Sequence, residues 1–249
     1  MSHHIVEVRD LYFSYPDGTE ALQGITFRIM HGGSVAIVGA NGAGKSTLLM
    51  HLNGYLMPTR GEVRIGETPL TRKTAAVVRR AVGMVFQDPD DQLFMPTVFE
   101  DVAFGPLNSG LPSDEVERRV ILALERVGMV HLKHRPPYRL SAGEKRAVAI
   151  ATVLAMAPDV LVMDEPSTNL DPRGRRRLID LFKSFEHTKI IATHDLEFVV
   201  ETCARVIVLD GGKTVAEGPT LELLNNENLM LAHGLERPYS LRPLRGRDS

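Results

Sequence analysis

Apolar residues near the start of the chain alternate with polar ones. Ile5, Val6 and Val8 are followed by Leu11, Tyr12 and Phe13, then by Ile25, Phe27 and Ile29, with Pro16-Asp17-Gly18 between the last two groups. A period of two broken by Pro and Gly predicts antiparallel strands joined by a turn. The pattern changes at Ser34–Val38, a short continuous apolar run that leads into a glycine-rich loop and then Leu48, Leu49 and Leu52. Strand, glycine loop and helix in that order predict a phosphate-binding βα unit. Gly83–Phe86, Val160–Met163, Ile190–Thr193 and Val206–Leu209 are further runs with apolar residues at consecutive positions. Such runs fit a parallel sheet covered on both faces.

Between Gln87 and about Pro158 the pattern turns helical. Ser113 is expected to cap a helix that has an acidic first turn and continues through Val120, Leu124 and Val127 to Gly128. A second helix is expected from about Gly143 to Ala157, stopped by Pro158. The reading is one α/β domain over 1–235, with core segments 1–88 and 158–235 and a helical lobe over 89–157. Residues 236–249 read as a loosely held basic tail.

Composition narrows the class only a little. The 249 residues are 43% hydrophobic and 24% charged with net charge -2, an ordinary globular balance with no overall pull towards nucleic acid. Cys203 is the sole cysteine, which excludes a disulfide framework and fits a reducing cytoplasm. Charge arrives before any apolar run at the start, so no signal peptide is expected. The longest mostly apolar stretch, Ala147 to Ala157, is well short of the ~20 residues that span a bilayer. A membrane role would have to come through a partner.

Two segments carry the chemistry. Gly39-Ala40-Asn41-Gly42-Ala43-Gly44-Lys45-Ser46 fits G-x-x-x-x-G-K-[ST] in full, and Thr47 extends it. Backbone amides of such a turn, with the start of the next helix, form a concave anion site. Lys45 is expected to reach the terminal phosphates and the Ser46 hydroxyl to ligate magnesium. The strand ending Val160-Leu161-Val162-Met163 runs into Asp164 and Glu165, whose side chains leave the strand in different directions. Asp164 is then placed to hold magnesium and Glu165 to polarise a water attacking the γ-phosphate.

With these stands Leu140-Ser141-Ala142-Gly143-Glu144, about twenty residues before the carboxylate pair. Gln87 closes the Gly83 run, Asn169-Leu170-Asp171 follows Glu165-Pro166, Ala192-Thr193-His194-Asp195 ends a later strand, and Tyr15 precedes the glycine loop by about 25 residues. In this order the motifs resemble ATP-binding cassette ATPases over nearly the whole chain. The resemblance implies a P-loop NTPase core with an N-terminal antiparallel β subdomain and an inserted α-helical subdomain. It implies ATP and Mg2+ as cofactors, Tyr15 stacked on adenine, Gln87 near the magnesium, and His194 donating to the γ-phosphate. It also implies that Ser141, Gly143 and Asp171 face a nucleotide held by a second copy. Ser141 and Glu144 are at the same time a helix capping-box pattern. Ala142, Glu144 and Ala147 depart from the usual signature, where glycine, glutamine and arginine are common.

Phe86-Gln87-Asp88-Pro89-Asp90-Asp91-Gln92-Leu93-Phe94 looks like the glutamine-loop extension of energy-coupling-factor transporters. Asp88, Asp90 and Asp91 beside Leu93 and Phe94 offer an acidic rim around an apolar groove, suited to an arginine-bearing helix. Met50–Gly54, Leu161–Ser167, Ala192–Leu196 and Ala232–Pro238 are most similar to the cobalt/nickel import branch, with vitamin uptake next. The transported metal is not expected to bind here, since His3, His4, His31, His51, His131 and His134 form no recognisable ligand spacing. The expected partners are a second ATPase subunit, a transmembrane coupling subunit and a substrate-binding membrane subunit. Nucleic acid is not among them, and the expected place is the cytoplasmic face of the cell membrane. The rivals are a conventional importer ATPase, a soluble cassette acting on nucleic acid or ribosomes, and a degenerate binding partner.

Overall fold

The computed structural model describes residues 4–242. Strand β1 (His4–Ser14) pairs antiparallel with β2 (Glu20–Met30) across the Tyr15–Thr19 turn, and with β4 (Arg60–Ile65), which carries the short β5 (Thr68–Pro69). The inward positions of β1 shift from Val6 and Val8 to Leu11 because the register slips at Asp10, whose φ is 47. A bulge of this kind explains why the opening alternation changes phase within one strand.

The second sheet has the order β10-β9-β3-β8-β7-β6. Its strands are β3 (Ser34–Val38), β6 (Val82–Val85), β7 (Val160–Asp164), β8 (Thr188–Ala192), β9 (Arg205–Asp210) and β10 (Lys213–Pro219). All adjacent pairs are parallel except β9–β10, which is antiparallel. Both faces are buried, and alternate residues belong to different cores. Val35, Ile37, Val160, Val162, Ile190, Ala192, Ile207 and Leu209 face the antiparallel sheet and helix α1 (Lys45–Leu52). Ala36, Val38, Leu161, Met163, Ile191, Val206 and Val208 face the helices on the other side. Each fully buried Val, Leu or Ile contributes about 1.5–3 kcal/mol over exposure, so the consecutive apolar runs are what hold two layers to one sheet.

Three helices pack together between β6 and β7: α3 (Val98–Asn108), α4 (Ser113–Val127) and α5 (Ala142–Leu154). The residue-level expectations need three corrections here. Pro112, not Ser113, is the N-cap of α4, and no side chain caps it; the fixed proline φ starts the helix one residue early. α5 stops at Leu154, not Ala157, because Ala157 takes a φ of 50 before Pro158, a proline disfavouring helical backbone just ahead of it. Helix α3 was not read from the sequence as an element of its own; Thr97 caps it by accepting from the Glu100 amide. The remaining helices are α2 (Ala75–Ala81), α6 (Pro172–Ser184), α7 (Leu196–Thr202), α8 (Thr220–Asn225) and α9 (Glu227–Ala232).

Residues 236–242 differ from a loose tail. A short turn at Tyr239–Leu241 packs Leu241 on the core, and the Ser240 amide donates to Glu197 in α7 at 3.1 Å. The rest of the tail, 243–249, lies outside the described residues, as do His3 and the first two residues. Among the described residues no helix is long and apolar enough to cross a membrane.

Candidate active site

The glycine loop sits between β3 and α1, wedged against the other sheet. A side chain at Gly39 would press into the Leu209 carbonyl of β9. At Gly44 a Cβ would come 2.7 Å from the Ala21 carbonyl, and its φ of 99 is closed to other residues without strain. The Gly211–Gly212 turn braces the loop from behind: the Gly212 amide donates to the Ala43 carbonyl at 3.2 Å and the Gln23 amide to the Gly212 carbonyl at 2.8 Å. Asn41 and Gly42 are exposed, Ala40, Gly44 and Ser46 half-buried, and Ala43, Lys45 and Thr47 buried. Lys45 Nζ curls over the loop, donating to the Gly39 carbonyl at 2.8 Å and the Ala40 carbonyl at 3.1 Å. The cation therefore already lies within the concavity that an anion would enter.

Tyr15 reaches the same helix: its hydroxyl is 2.9 Å from Thr47 Oγ1 and its ring meets Phe13 edge-on at 5.0 Å. Phe13 in turn packs edge-on against His51, which is buried with Nδ1 2.7 Å from the Thr47 carbonyl. Burial pushes His51 below the ordinary histidine value, so this ring is a neutral packing residue. His31, His131 and His134 are exposed.

Asp164 ends β7 opposite Ser46. It is 2% exposed, and its Oδ1 is buried with no hydrogen-bond partner. Burial pushes its carboxyl above the ordinary 3.8, the Ser46 hydroxyl opposes, Glu165 adds to the rise, and Lys45 and Arg146 pull the other way. A buried carboxylate oxygen without a donor, beside a hydroxyl and near a second carboxylate, is a donor set for a hard divalent cation. Ser46 and Asp164 thus fit magnesium, and Gln87, exposed on the wall of the same cavity, can join them.

Glu165 turns away from the strand with φ 46, a backbone conformation unusual for a side chain of this size. Its amide donates to the Ala192 carbonyl at 2.8 Å, across to β8. Oε2 accepts from Thr193 Oγ1 at 3.0 Å and from the His194 amide at 3.4 Å, and lies 2.9 Å from His194 Nδ1. The Asp195 amide donates to Thr193 Oγ1 at 3.0 Å, so the threonine fixes both the carboxylate and the following turn. Parallel pairing of β7 with β8 brings these distant segments together. Thr193 was missed as a site residue, although it stands beside His194 at a strand end.

Ser46, Gln87, Asp164 and Arg146 line one cavity of about 600 Å³. Ser141, Gly143 and Asp171 line another, of about 590 Å³. Ser141 Oγ accepts from the Glu144 amide at 3.3 Å and Glu144 Oε2 from the Ser141 amide at 2.8 Å, a complete capping box at the start of α5. The Ser141 amide holds Glu144 below the usual carboxylate range. Asp171 caps α6, accepting from the Gly174 amide at 2.6 Å. Ser141 and Gly143 thus lie beside Asp171, while Leu140 and Ala142 of the same motif border the cavity of Ser46.

The acidic loop departs from the expected groove. Leu93 points into the core; the exposed apolar residues are Phe94, Phe104 and Leu107, with the two rings edge-on at 4.9 Å. Asp90 is already paired with Lys145 Nζ at 2.6 Å, and Asp88 caps the turn by accepting from the Asp90 amide at 2.9 Å. Asp91 is exposed and has no ion pair among the described residues. Arg146, one residue before Ala147, is a buried cation in the second turn of α5, 4% exposed.

Residues 22–168 match the sequence model of a family described as ABC transporter. An ABC transporter ATP-binding protein of Geobacter sulfurreducens is 68% identical, covering 99% of this chain and 100% of that one. The energy-coupling factor transporter ATP-binding protein EcfA of Methanocaldococcus jannaschii is 48% identical over 94% of this chain and 86% of its own. The structure of cbiO1 from Clostridium perfringens, described as part of the ABC transporter complex cbiONQ, superposes with TM-score 0.81 at 42% identity, covering 93% and 94% of the two chains.

Proposed function

This chain belongs to the ABC transporter family and is an ATP-binding, ATP-hydrolysing subunit; on that premise we propose that it powers an energy-coupling-factor importer for cobalt or nickel ions. The observation that carries the catalytic part is Asp164 and Glu165 at one strand end. One carboxylate is buried with an oxygen free for a cation, the other held by Thr193 and His194.

The amides of Gly42 to Ser46 and the Lys45 ammonium take the β- and γ-phosphates. Ser46, Asp164 and Gln87 would hold Mg2+, which draws charge from the phosphate oxygens when bound. Glu165 accepts hydrogen bonds on Oε2 and keeps Oε1 for the attacking water, whose proton it draws off as the oxygen approaches phosphorus. His194 orients that carboxylate and donates to the γ-phosphate. Tyr15 offers a ring face beside α1 for the base.

A pair of subunits follows from the geometry of the proposal. Ser141 and Gly143 line a cavity that Ser46 does not reach, which supports the reading that they serve a nucleotide held by another copy. The γ-phosphate then closes two copies and its loss parts them. Contact with the membrane is through partner subunits docking on Asp91, Phe94 and Phe104, at its cytoplasmic face. The likeness to EcfA and cbiO1 supports this branch, and the transported ion is held by those partners.

The test is Glu165→Gln in the purified protein. ATP affinity should stay within about threefold while turnover falls at least about a hundredfold, the scale of a lost general base. With ATP and magnesium the variant should elute as a dimer. Turnover near wild type would remove Glu165 from the mechanism, and ATP-dependent uptake of a vitamin but not of Co2+ or Ni2+ by the reconstituted complex would move the substrate.

A further inference from the structure

Arg146 has no part in the mechanism above, yet it is among the most buried charges in the molecule, 4% exposed in the second turn of α5. Nη1 donates to the Phe86 carbonyl at 2.9 Å, the peptide link into Gln87. Nε is buried without a partner. Burial is the dominant influence and loosens its hold on the proton, and the carboxylates of Asp88, Asp164 and Glu165 partly offset this. An arginine stays protonated under such conditions, and enclosing it without a bidentate carboxylate is costly unless other charges compensate. Packing alone is a poor reason for a cation here, since an apolar side chain would fill the space at lower cost.

Its surroundings point to a positioning role. The segment from Phe86 to Gln92 is tied to α5 at three places. Arg146 holds the Phe86 carbonyl, Lys145 holds Asp90 at 2.6 Å, and Gln92 Nε2 donates to the Ala149 carbonyl at 2.8 Å and to Thr152 Oγ1 at 2.7 Å. The first two ties both line the cavity that holds Gln87 and Asp164, but only the first is made to the peptide that leads into Gln87. Ser141, which caps the helix that carries Arg146, lines the other cavity, and Arg146 borders both.

We propose that Arg146 is a positioning residue that fixes the Phe86–Gln87 peptide over the Asp164 site and so links the signature helix to ATP hydrolysis in the same chain. The proposal rests on the ATPase reading. It does not need Arg146 to touch nucleotide; the residue acts through Gln87. Loss of the guanidinium should therefore slow turnover and leave nucleotide binding in place, and the loss should vanish when Gln87 is already absent.

The experiment uses the full chain with Arg146→Gln, Arg146→Lys, Gln87→Ala and the Arg146→Gln/Gln87→Ala double variant. Turnover is measured under single-turnover conditions, ATP affinity by equilibrium titration, and integrity by thermal unfolding. Arg146→Gln is expected to lower the rate at least about tenfold with ATP affinity within about threefold, on the scale set by one misplaced catalytic group. Arg146→Lys, which keeps charge and a donor, should lie nearer wild type. The double variant should be no more than about twofold slower than Gln87→Ala. Losses that multiply in the double variant, or an Arg146→Gln rate within twofold of wild type, would overturn the proposal. If Arg146→Gln does not fold, Arg146→Lys alone and with Gln87→Ala makes the same comparison, with a fall of about threefold expected and again absorbed by Gln87→Ala. A wild-type protein that hydrolyses no ATP would instead defeat the underlying reading.

Discussion

Asp164 shows how a single residue is held at a cost for its work. Its carboxyl is pushed above the ordinary 3.8 by burial and keeps an oxygen without a donor. An acid whose folded value is raised binds more protons folded than unfolded. Stability therefore falls as pH climbs from about the ordinary value through the raised one, and the penalty is fully present above it. Asp164→Asn should raise the melting temperature of the magnesium-free protein at neutral pH by about 2–4 °C, roughly 1 kcal/mol at this chain length. The gain should shrink as pH falls towards 4, and magnesium should no longer stabilise the nucleotide complex. A lower melting temperature than wild type in calorimetry would contradict this account. At this scale the sequence showed the residue types and their spacing, from Gly39 to Ser46 and at Asp164 and Glu165. It could not show Glu165 at φ 46 or its bond to Thr193, because those depend on two strands, far apart in the chain, lying side by side.

Among the elements, α5 and the loop before α3 carry the most information. The capping box was legible because its partners are three residues apart, within one turn. The loop was legible only as an acidic, apolar string. Which of its residues faced outward depended on packing: Leu93 went inward, and Asp90 found Lys145, 55 residues later. An exposed ion pair of this sort is worth about 0–1 kcal/mol, so Asp90 can be recruited, but under the proposed docking Asp91 is the carboxylate that a cationic helix would meet first. Asp91→Lys should reduce co-purification of the membrane subunit at least about tenfold, the scale of one charge-assisted contact reversed. ATP affinity and melting temperature should not change. Full retention of the membrane subunit on an affinity column would exclude this loop as the docking surface.

For the whole molecule, the order of elements and the class of the sheet followed from the periodicity, and the helical region between Gln87 and Pro158 was visible as a change of period. The strand order β10-β9-β3-β8-β7-β6 was not, because consecutive apolar residues mark a strand as buried without naming its neighbours. The alternation across this sheet has a further consequence. Ile190 and Ile191 are adjacent and both wholly buried, but one belongs to the layer around the glycine loop and the other to the layer of helices. Each change to alanine should cost about 2–5 kcal/mol. Hydrogen exchange should nevertheless tell them apart: Ile190→Ala loosening amides of α1 and β2, Ile191→Ala those of α6 and α7. Identical exchange maps would mean the layers do not relax separately. A sheet that serves as a party wall lets two rooms be rebuilt at different times: side chains of the helical layer that do not reach the Asp164 cavity can change without disturbing the chamber where phosphate is cut.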